Sequence, residues 1–79
     1  SLEDPLERLK LLLSERIKYF IRHDLDKLLQ ALYRIDIKDT DSDQAFNLGD
    51  IDRISQTLSE LIIQRQMQKL EYSKNYSQK

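Results

Sequence analysis

Cysteine and valine are absent from this 79-residue chain, and glycine and proline occur only once each. Without cysteine the chain can form neither a disulfide nor a thiolate metal site. Strands are enriched in β-branched residues and are joined by turns rich in glycine and proline, so these shortages argue against a sheet. The sequence therefore predicts an all-α protein without a disulfide framework.

Long apolar runs are also missing. No stretch approaches the roughly 18 apolar residues of a membrane span, and the run at residues 11–13 is too short for the core of a signal peptide. The lack of cysteine fits a reducing compartment. We therefore expect a soluble, cytoplasmic protein with no membrane partner.

The net charge of −1 shows no excess of either sign, so the total does not point to nucleic acid or to an anionic membrane. The distribution is uneven, however. Residues 36–52 hold six aspartates and one lysine, whereas the rest of the chain holds 12 basic and 8 acidic residues. This asymmetry favours either an acidic, solvated loop or an oriented contact between two copies.

The abundant residues favour helices. Leucine (14 residues) and isoleucine (8 residues) dominate the apolar set, and Leu, Glu, Gln, Lys and Arg lose little rotamer freedom in a helix. We predict a single helical domain over residues 1–79, built as a small helical bundle of three to four helices with a long C-terminal helix. The core of a chain this short rarely supplies more than about 3–5 kcal/mol, so long packed helices or self-association must add stability.

Apolar spacing predicts helices in the N-terminal half. Asp4 and Pro5 suit the cap and the first position of a helix. Apolar residues then recur every three or four positions, at Leu6, Leu9, Leu13, Ile17, Phe20 and Ile21, and again at Leu25, Leu28, Leu29, Leu32 and Ile35. We expect a bend or break at 22–24 near His23, with Asp24 as the second cap, although one continuous helix also fits the spacing.

Polar residues separate this half from the last helix. Residues 36–41 are predicted to form a turn, after which Ser42 or Asp43 caps a short helix. Gly49 is expected to end that short helix in a left-handed conformation. Asp50 follows directly and is expected to cap the last helix.

The last predicted helix carries apolar residues on two faces. At about 100° per residue, one face holds Ile51, Ile54, Leu58, Leu61, Ile62, Tyr72 and Tyr76. The second face holds Ile63, Met67 and Leu70. Because two apolar faces need two neighbours, we predict that the second face is an interface, either of a homodimer or with another helical protein. Residues 73–79 are predicted to form a frayed tail.

One aspartate pattern resembles a metal site. Asp39, Asp41, Asp43 and Asp50 take the first, third, fifth and twelfth positions of a calcium loop, in which alternating carboxylates converge on one ion. The sixth position, where a sharp turn needs glycine, is Gln44, and aspartate at the twelfth is shorter than the usual glutamate. A metal-responsive protein is therefore the alternative function, and we predict that these residues do not form a specific calcium site.

A DNA-binding protein is the less favoured hypothesis. Ala45, Leu48 and Gly49 have offsets similar to those of a helix-turn-helix motif. Asp52 and Ser55, however, stand where the motif expects apolar residues. Acidic residues would also face phosphates at the start of the recognition helix, where a basic surface is normal. We therefore expect no nucleic acid as a partner.

No residue set points to catalysis. His23, the only histidine, lacks the companion nucleophile or second ligand of a catalytic or metal site. Glu15, Glu60 and Glu71 have no paired carboxylate in a predictable cleft. We predict a non-enzymatic protein with no catalytic residues, no cofactor and no small-molecule substrate.

Two segments carry a resemblance to known sequences. Ala31–Asp36 reads ALYRID, and Leu61–Lys69 reads LIIQRQMQK. Together they resemble a group of short uncharacterised bacterial helical proteins that pair an LYRID segment with a later LIIER-x-LQK segment. The resemblance covers residues 12–72, and Gln64 replaces the acidic residue of that group. It implies a compact bacterial helical domain and carries no activity with it.

Overall fold

The computed structural model describes residues 4–77, with side chains described as far as Ser73, and this part of the chain contains four helices and no strand. The helices are α1 (Pro5–His23), α2 (Leu25–Ile35), α3 (Asp39–Phe46) and α4 (Ile51–Ser77). The predicted all-α fold with a long C-terminal helix is confirmed.

Aspartates begin both N-terminal helices. The carboxylate of Asp4 accepts a hydrogen bond from the Leu6 N–H at 2.9 Å, and the proline that follows Asp4 takes the first helical position. Asp24 closes α1 by donating its N–H to the Phe20 carbonyl at 2.8 Å. The same residue opens α2, because its carboxylate accepts from the Lys27 N–H at 3.2 Å. The predicted break is confirmed, and the continuous helix is wrong.

The end of α2 depends on a residue that the sequence did not single out. Asp36 is left-handed, with φ 72°, and donates its N–H to the Tyr33 carbonyl at 3.0 Å. Ile37 donates to the Leu32 carbonyl at 3.1 Å, which completes the turn. Arg65 Nη2 donates to Asp36 Oδ2 at 2.9 Å. This pair ties the end of α2 to the middle of α4.

The third helix begins earlier than predicted. The expected turn is confirmed for residues 36–38 and wrong for 39–41, because α3 starts at Asp39, and the cap at Ser42 or Asp43 is therefore wrong. Lys38 precedes it and makes no side-chain cap bond. The aspartates of the first turn complement the positive N-terminal end of the helix dipole, which offsets their poor intrinsic helix propensity.

Gly49 and Asp50 make the connection to α4. Gly49 has φ +78°, which confirms the predicted left-handed conformation. It does not end α3 directly, however, because that helix stops at Phe46 and Asn47 is its C-cap. The Asp50 carboxylate accepts from the Asp52 N–H at 2.9 Å, so the predicted cap of the last helix is confirmed.

The last helix continues further than predicted. α4 extends through Ser77, so residues 73–77 of the predicted tail belong to the helix, and their fraying stays a prediction. No glycine or proline interrupts the helix, so the local sequence supplies no stop signal there. Residues 78 and 79, the rest of the predicted tail, lie outside the described part of the chain.

The core is built mainly where α1 packs against α4. All four helices contribute to one buried cluster: Ile17, Leu28, Leu32, Ala45, Ile54 and Leu58. Lys10 pairs with Glu60 at 3.8 Å, and Lys18 pairs with Asp52. The two helices therefore run antiparallel, because the later residue on α1 meets the earlier residue on α4.

Three buried serines line the contact between α1 and α4. Ser14, Ser55 and Ser59 are all shielded from solvent, and such small side chains let two helices approach closely. Ser14 Oγ donates to the Leu11 carbonyl at 3.1 Å, and Ser59 Oγ donates to the Gln56 carbonyl at 2.7 Å. The Ser55 hydroxyl has no hydrogen-bond partner.

Candidate functional site

The aspartates of the predicted calcium loop do not converge. Asp39, Asp41 and Asp43 lie on α3, where residues two apart point about 200° apart around the helix. Asp50 lies beyond the end of α3, and its carboxylate bonds to the backbone of α4. No group of three or more His, Asp or Glu side chains in residues 4–73 is arranged to hold a metal ion. Asp39, Asp41 and Asp43 therefore belong to a helix and not to a loop, and the absence of specific calcium binding stays a prediction.

The groove between α3 and α4 mixes polar and apolar side chains. It has a volume of about 390 Å³, comparable to a small-molecule site. It is lined largely by charged and amide side chains, among them Asp41, Arg53, Gln56 and Glu60. Ligand sites are usually lined by apolar and aromatic side chains, so this groove lacks their typical character.

The candidate catalytic residues do not meet. Glu15 pairs with Lys18 within α1 at 3.0 Å. Glu60 instead pairs with Lys10, across the contact between α1 and α4. His23 lies at the end of α1, with its ring 4.6 Å from the ring of Tyr19. These are ordinary surface contacts, and no two of the candidates share a cleft.

The start of α4 is acidic and already packed. Lys18 hydrogen-bonds to Asp52 and thereby lowers the pKa of that carboxyl. Ser55, one turn later, is fully buried against the rest of the chain. A helix that reads DNA presents an exposed and basic face near its start. This part of α4 has the opposite character.

The predicted interface residues divide into two groups. Ile63 is only 9% exposed and so belongs to the interior of the chain. It follows the buried Ser59 by one helical turn, which places it on the side of α4 that faces α1. Met67 and Leu70 are 55% and 71% exposed. The predicted interface is therefore corrected by the removal of Ile63.

The start of α1 and the end of α2 lie at the same level along α4. Lys10 and Lys18 are eight residues apart on α1, and their partners are eight residues apart on α4. The same register places Pro5, where α1 begins, level with Arg65. Asp36, at the end of α2, bonds to Arg65 itself. Beyond this residue neither helix accompanies α4.

We call residues 66–77 of α4 the overhang. Twelve helical residues extend roughly 18 Å at about 1.5 Å per residue. Among the side chains described there, from Gln66 to Ser73, all are exposed except Lys69, which is half-buried. Leu70 and Tyr72 point about 200° apart. The apolar side chains that are described in the overhang, Met67, Leu70 and Tyr72, are therefore largely exposed to solvent.

Sequence reasoning missed a second set of exposed apolar residues. Leu9, Leu12 and Tyr19 on α1 are all exposed, and so are Leu29 and Tyr33 on α2. One signal was available, because three consecutive leucines at residues 11–13 cannot all face the same side of a helix. The remaining exposed residues lie on or beside the apolar stripes that were predicted to face the core. Their exposure depends on which other helices contact them.

Comparison with known proteins adds no assignment to this geometry. No protein-family model matches the chain, and neither a curated protein nor a solved structure matches it. Within the described helices, none is both long enough and apolar enough to cross a membrane.

Proposed function

We propose that this protein is a non-enzymatic interaction module that associates with a second copy of itself through the overhang. Met67 and Leu70 form the centre of the contact. The observation that carries this proposal is the level at which α1 begins and α2 ends, because beyond it the described apolar side chains of α4, Met67, Leu70 and Tyr72, are exposed. We also propose a cytoplasmic setting, which the absence of cysteine supports.

An uncovered helix gains stability from a partner. Helices of about 12–15 residues are marginal in water on their own, and most helix stability in proteins comes from packing one apolar face. Burying one Leu or Met side chain contributes roughly 1.5–3 kcal/mol. Met67 and Leu70 lie about 60° apart on the helix, so one partner helix can cover both.

Charge favours a second copy as that partner. The overhang carries Lys69 and Glu71, and Lys74 follows in the sequence, so its net charge is positive. The acidic segment 36–52 begins at its root, where Asp36 pairs with Arg65. In a two-fold antiparallel pair, the basic tip of each overhang lies beside the acidic root of the other. The surface is then complementary to itself, as a two-fold contact requires.

Light scattering after size exclusion tests this proposal. Between about 10 μM and about 1 mM, we expect the wild-type mass to rise from one chain to two. The variant Met67→Gln/Leu70→Gln should remain a monomer with unchanged helix content, because both side chains are already exposed in the single chain. Glutamine keeps the charge unchanged, so the loss reports on apolar contact alone.

A matched control removes exposed apolar surface elsewhere. Leu25→Gln/Leu29→Gln alters the start of α2, away from its end at Asp36, and should dimerise like the wild type. A wild-type protein that stays monomeric at high micromolar concentration contradicts the proposal. So does an overhang variant that unfolds, or a control that loses dimerisation to the same extent.

A further inference from the structure

The first helix carries a second stripe on its outer side. Residues spaced alternately by three and four positions are all exposed along it: Leu9, Leu12, Arg16, Tyr19 and His23. This spacing repeats every seven residues and is the pattern that packs one helix along another in a coiled coil. The buried residues Ser14 and Ile17 lie on the opposite side and hold α1 to the bundle. We call the exposed set the outer stripe.

A positive charge occupies the middle of the outer stripe. The Arg16 guanidinium lies 5.2 Å from the ring centre of Tyr19 and 4.9 Å from that of Phe20. The two rings stand edge to face, 5.6 Å apart. Contacts of this kind with aromatic rings hold a guanidinium in place without neutralising it. The charge is thus positioned before any partner arrives.

No carboxylate within the described residues pairs with Arg16. Glu15, its neighbour in sequence, pairs with Lys18 instead. The ion pairs of α1 use its two lysines, Lys10 and Lys18, whereas Arg8, Arg16 and Arg22 make none in the described part of the chain. The outer side of α1 therefore keeps its positive charge for another molecule.

We infer that the outer stripe binds an amphipathic helix of a different protein, one that carries a carboxylate within its own apolar stripe to face Arg16. A partner helix that covers Leu9, Leu12 and Tyr19 also covers Arg16. A guanidinium enclosed without a counter-charge costs more than the apolar contacts return, so the partner must supply an acidic residue there. The stripe spans roughly 21 Å, about four turns of such a helix.

A second copy of this chain is a poorer occupant than a different protein. Its acidic helix is α3, where Ala45 is buried and Phe46 half-buried in the same molecule, so the acidic groups of α3 have no exposed apolar stripe beside them.

The overhang of a second copy does place Glu71 beside Met67 and Leu70, but the proposed function already engages those side chains in dimerisation. The exposed stripe of α2 that holds a carboxylate runs only from Asp26 to Tyr33, roughly 10 Å, which is half the length of the outer stripe. The inference therefore concerns a different protein, and in this step it rests on the proposed function.

Four synthetic peptides test the inference. Each is a three-heptad helix with leucine at the stripe positions, except for one central position that is Glu, Gln, Leu or Lys. Fluorescence anisotropy of the labelled peptides measures binding to the full chain. We expect the Glu peptide to bind about tenfold more tightly than the Gln peptide and the Lys peptide to bind most weakly. Because the varied position is central, the ranking holds for either direction of the bound helix.

Reversing the charge of Arg16 provides the more discriminating part of the experiment. The variant Arg16→Glu should bind the Lys peptide best and lose at least about tenfold in affinity for the Glu peptide. Leu12→Gln, which changes a side chain that is 67% exposed, should weaken binding of the Glu and Gln peptides alike. Arg53→Glu makes the same charge change on α4 and should leave the ranking as in the wild type. Circular dichroism should show the same helix content in every variant.

Several outcomes would overturn the inference. Absence of binding by every peptide does so, as does an affinity that ignores the central residue or a ranking that Arg16→Glu leaves unreversed. Binding to vesicles containing anionic lipid, lost in Leu12→Gln, with no binding of the peptides would assign the stripe to membranes instead. Binding of the Glu peptide that disappears in Met67→Gln/Leu70→Gln would place the site on the overhang and contradict the assignment to α1.

Discussion

The two halves of α4 form one uninterrupted helix but differ in what surrounds them. We call the half from Ile51 to Arg65 the packed half. Its buried residues include Ile54, Leu58, Ser55 and Ser59. In the overhang, Met67 and Leu70 are similar in size and spacing but face solvent. The backbone is helical in both, because helix formation depends on local propensity and hydrogen bonds. Burial differs because the neighbouring helices end at Arg65.

The largest expected effect is the difference in unfolding free energy lost when one leucine in each half is replaced by alanine. Leu58→Ala, at a side chain with 0% exposure, should lower the free energy of unfolding by about 2–5 kcal/mol. Leu70→Ala should change it by less than about 0.5 kcal/mol when measured below the concentration of self-association. Urea unfolding followed by circular dichroism measures both. Equal losses would mean that the overhang is packed within the single chain.

The connection that starts the packed half gives the next effect. Asp50→Ala removes the cap that bonds to the Asp52 N–H and should cost about 0.5–2 kcal/mol. Gly49→Ala should cost about 1 kcal/mol, because alanine disfavours the positive φ of this position. A methyl group there meets no atom within 4 Å, so the cost is conformational. Denaturant midpoints that do not move would contradict this account of the turn.

The serines of the packed half sharpen the comparison further. Ser55→Ala removes a buried hydroxyl that has no partner and should stabilise the protein by about 0.5–1 kcal/mol. Ser59→Ala removes a hydroxyl bonded to the Gln56 carbonyl at 2.7 Å, so it should not give that gain. Thermal unfolding of the two variants side by side checks this. A destabilised Ser55→Ala would show that its hydroxyl is satisfied in solution.

The smallest expected effect depends on pH and tests the alignment of α1 on the packed half. Lys18 lowers the pKa of Asp52 chiefly by hydrogen bonding, and Asp52 in turn raises the pKa of Lys18. Because the folded-state pKa of Asp52 is the lower one, its stabilisation is present above the unfolded-state pKa. It is lost as the pH falls through the folded-state value.

Lys18→Gln should therefore reduce the loss of stability on acidification, by an amount that is small for so exposed a pair. Thermal midpoints measured from neutral to acidic pH give the comparison. Lys27→Gln, at an exposed lysine on α2, should retain the wild-type dependence on pH. A Lys18→Gln profile that overlays the wild type would show that this ion pair does not form in solution.

Local chemistry explains which parts of the fold were predictable. The caps at Asp4, Asp24 and Asp50 and the left-handed Gly49 depend on side chains and dihedral preferences within a few residues, so the sequence shows them directly. The start of α3 was placed too late because several aspartates in a row are typical both of a turn and of a first helical turn. The pair between Asp36 and Arg65 was missed because the two residues are 29 positions apart in the sequence. The left-handed conformation of Asp36 was missed because this conformation is uncommon for a residue other than glycine.

The candidate surfaces show the limit of that reasoning. The spacing of Ile63, Met67 and Leu70 indicates a second apolar face, and it does not reveal that the first of them is already buried within the chain. The register of α1 on α4, which the pairs Lys10–Glu60 and Lys18–Asp52 mark, decides how far along α4 its side chains are covered. Arg16 shows the same limit, because its lack of a carboxylate follows from which neighbours the fold brings near.

The sequence by itself therefore determined the helices and most of their boundaries, since these follow from propensity, capping and periodicity within one segment. Only the tertiary structure decided which apolar side chains are enclosed and which remain for a partner. A side chain is buried when another part of the chain reaches it, and that reach depends on the lengths, directions and register of helices far apart in the sequence.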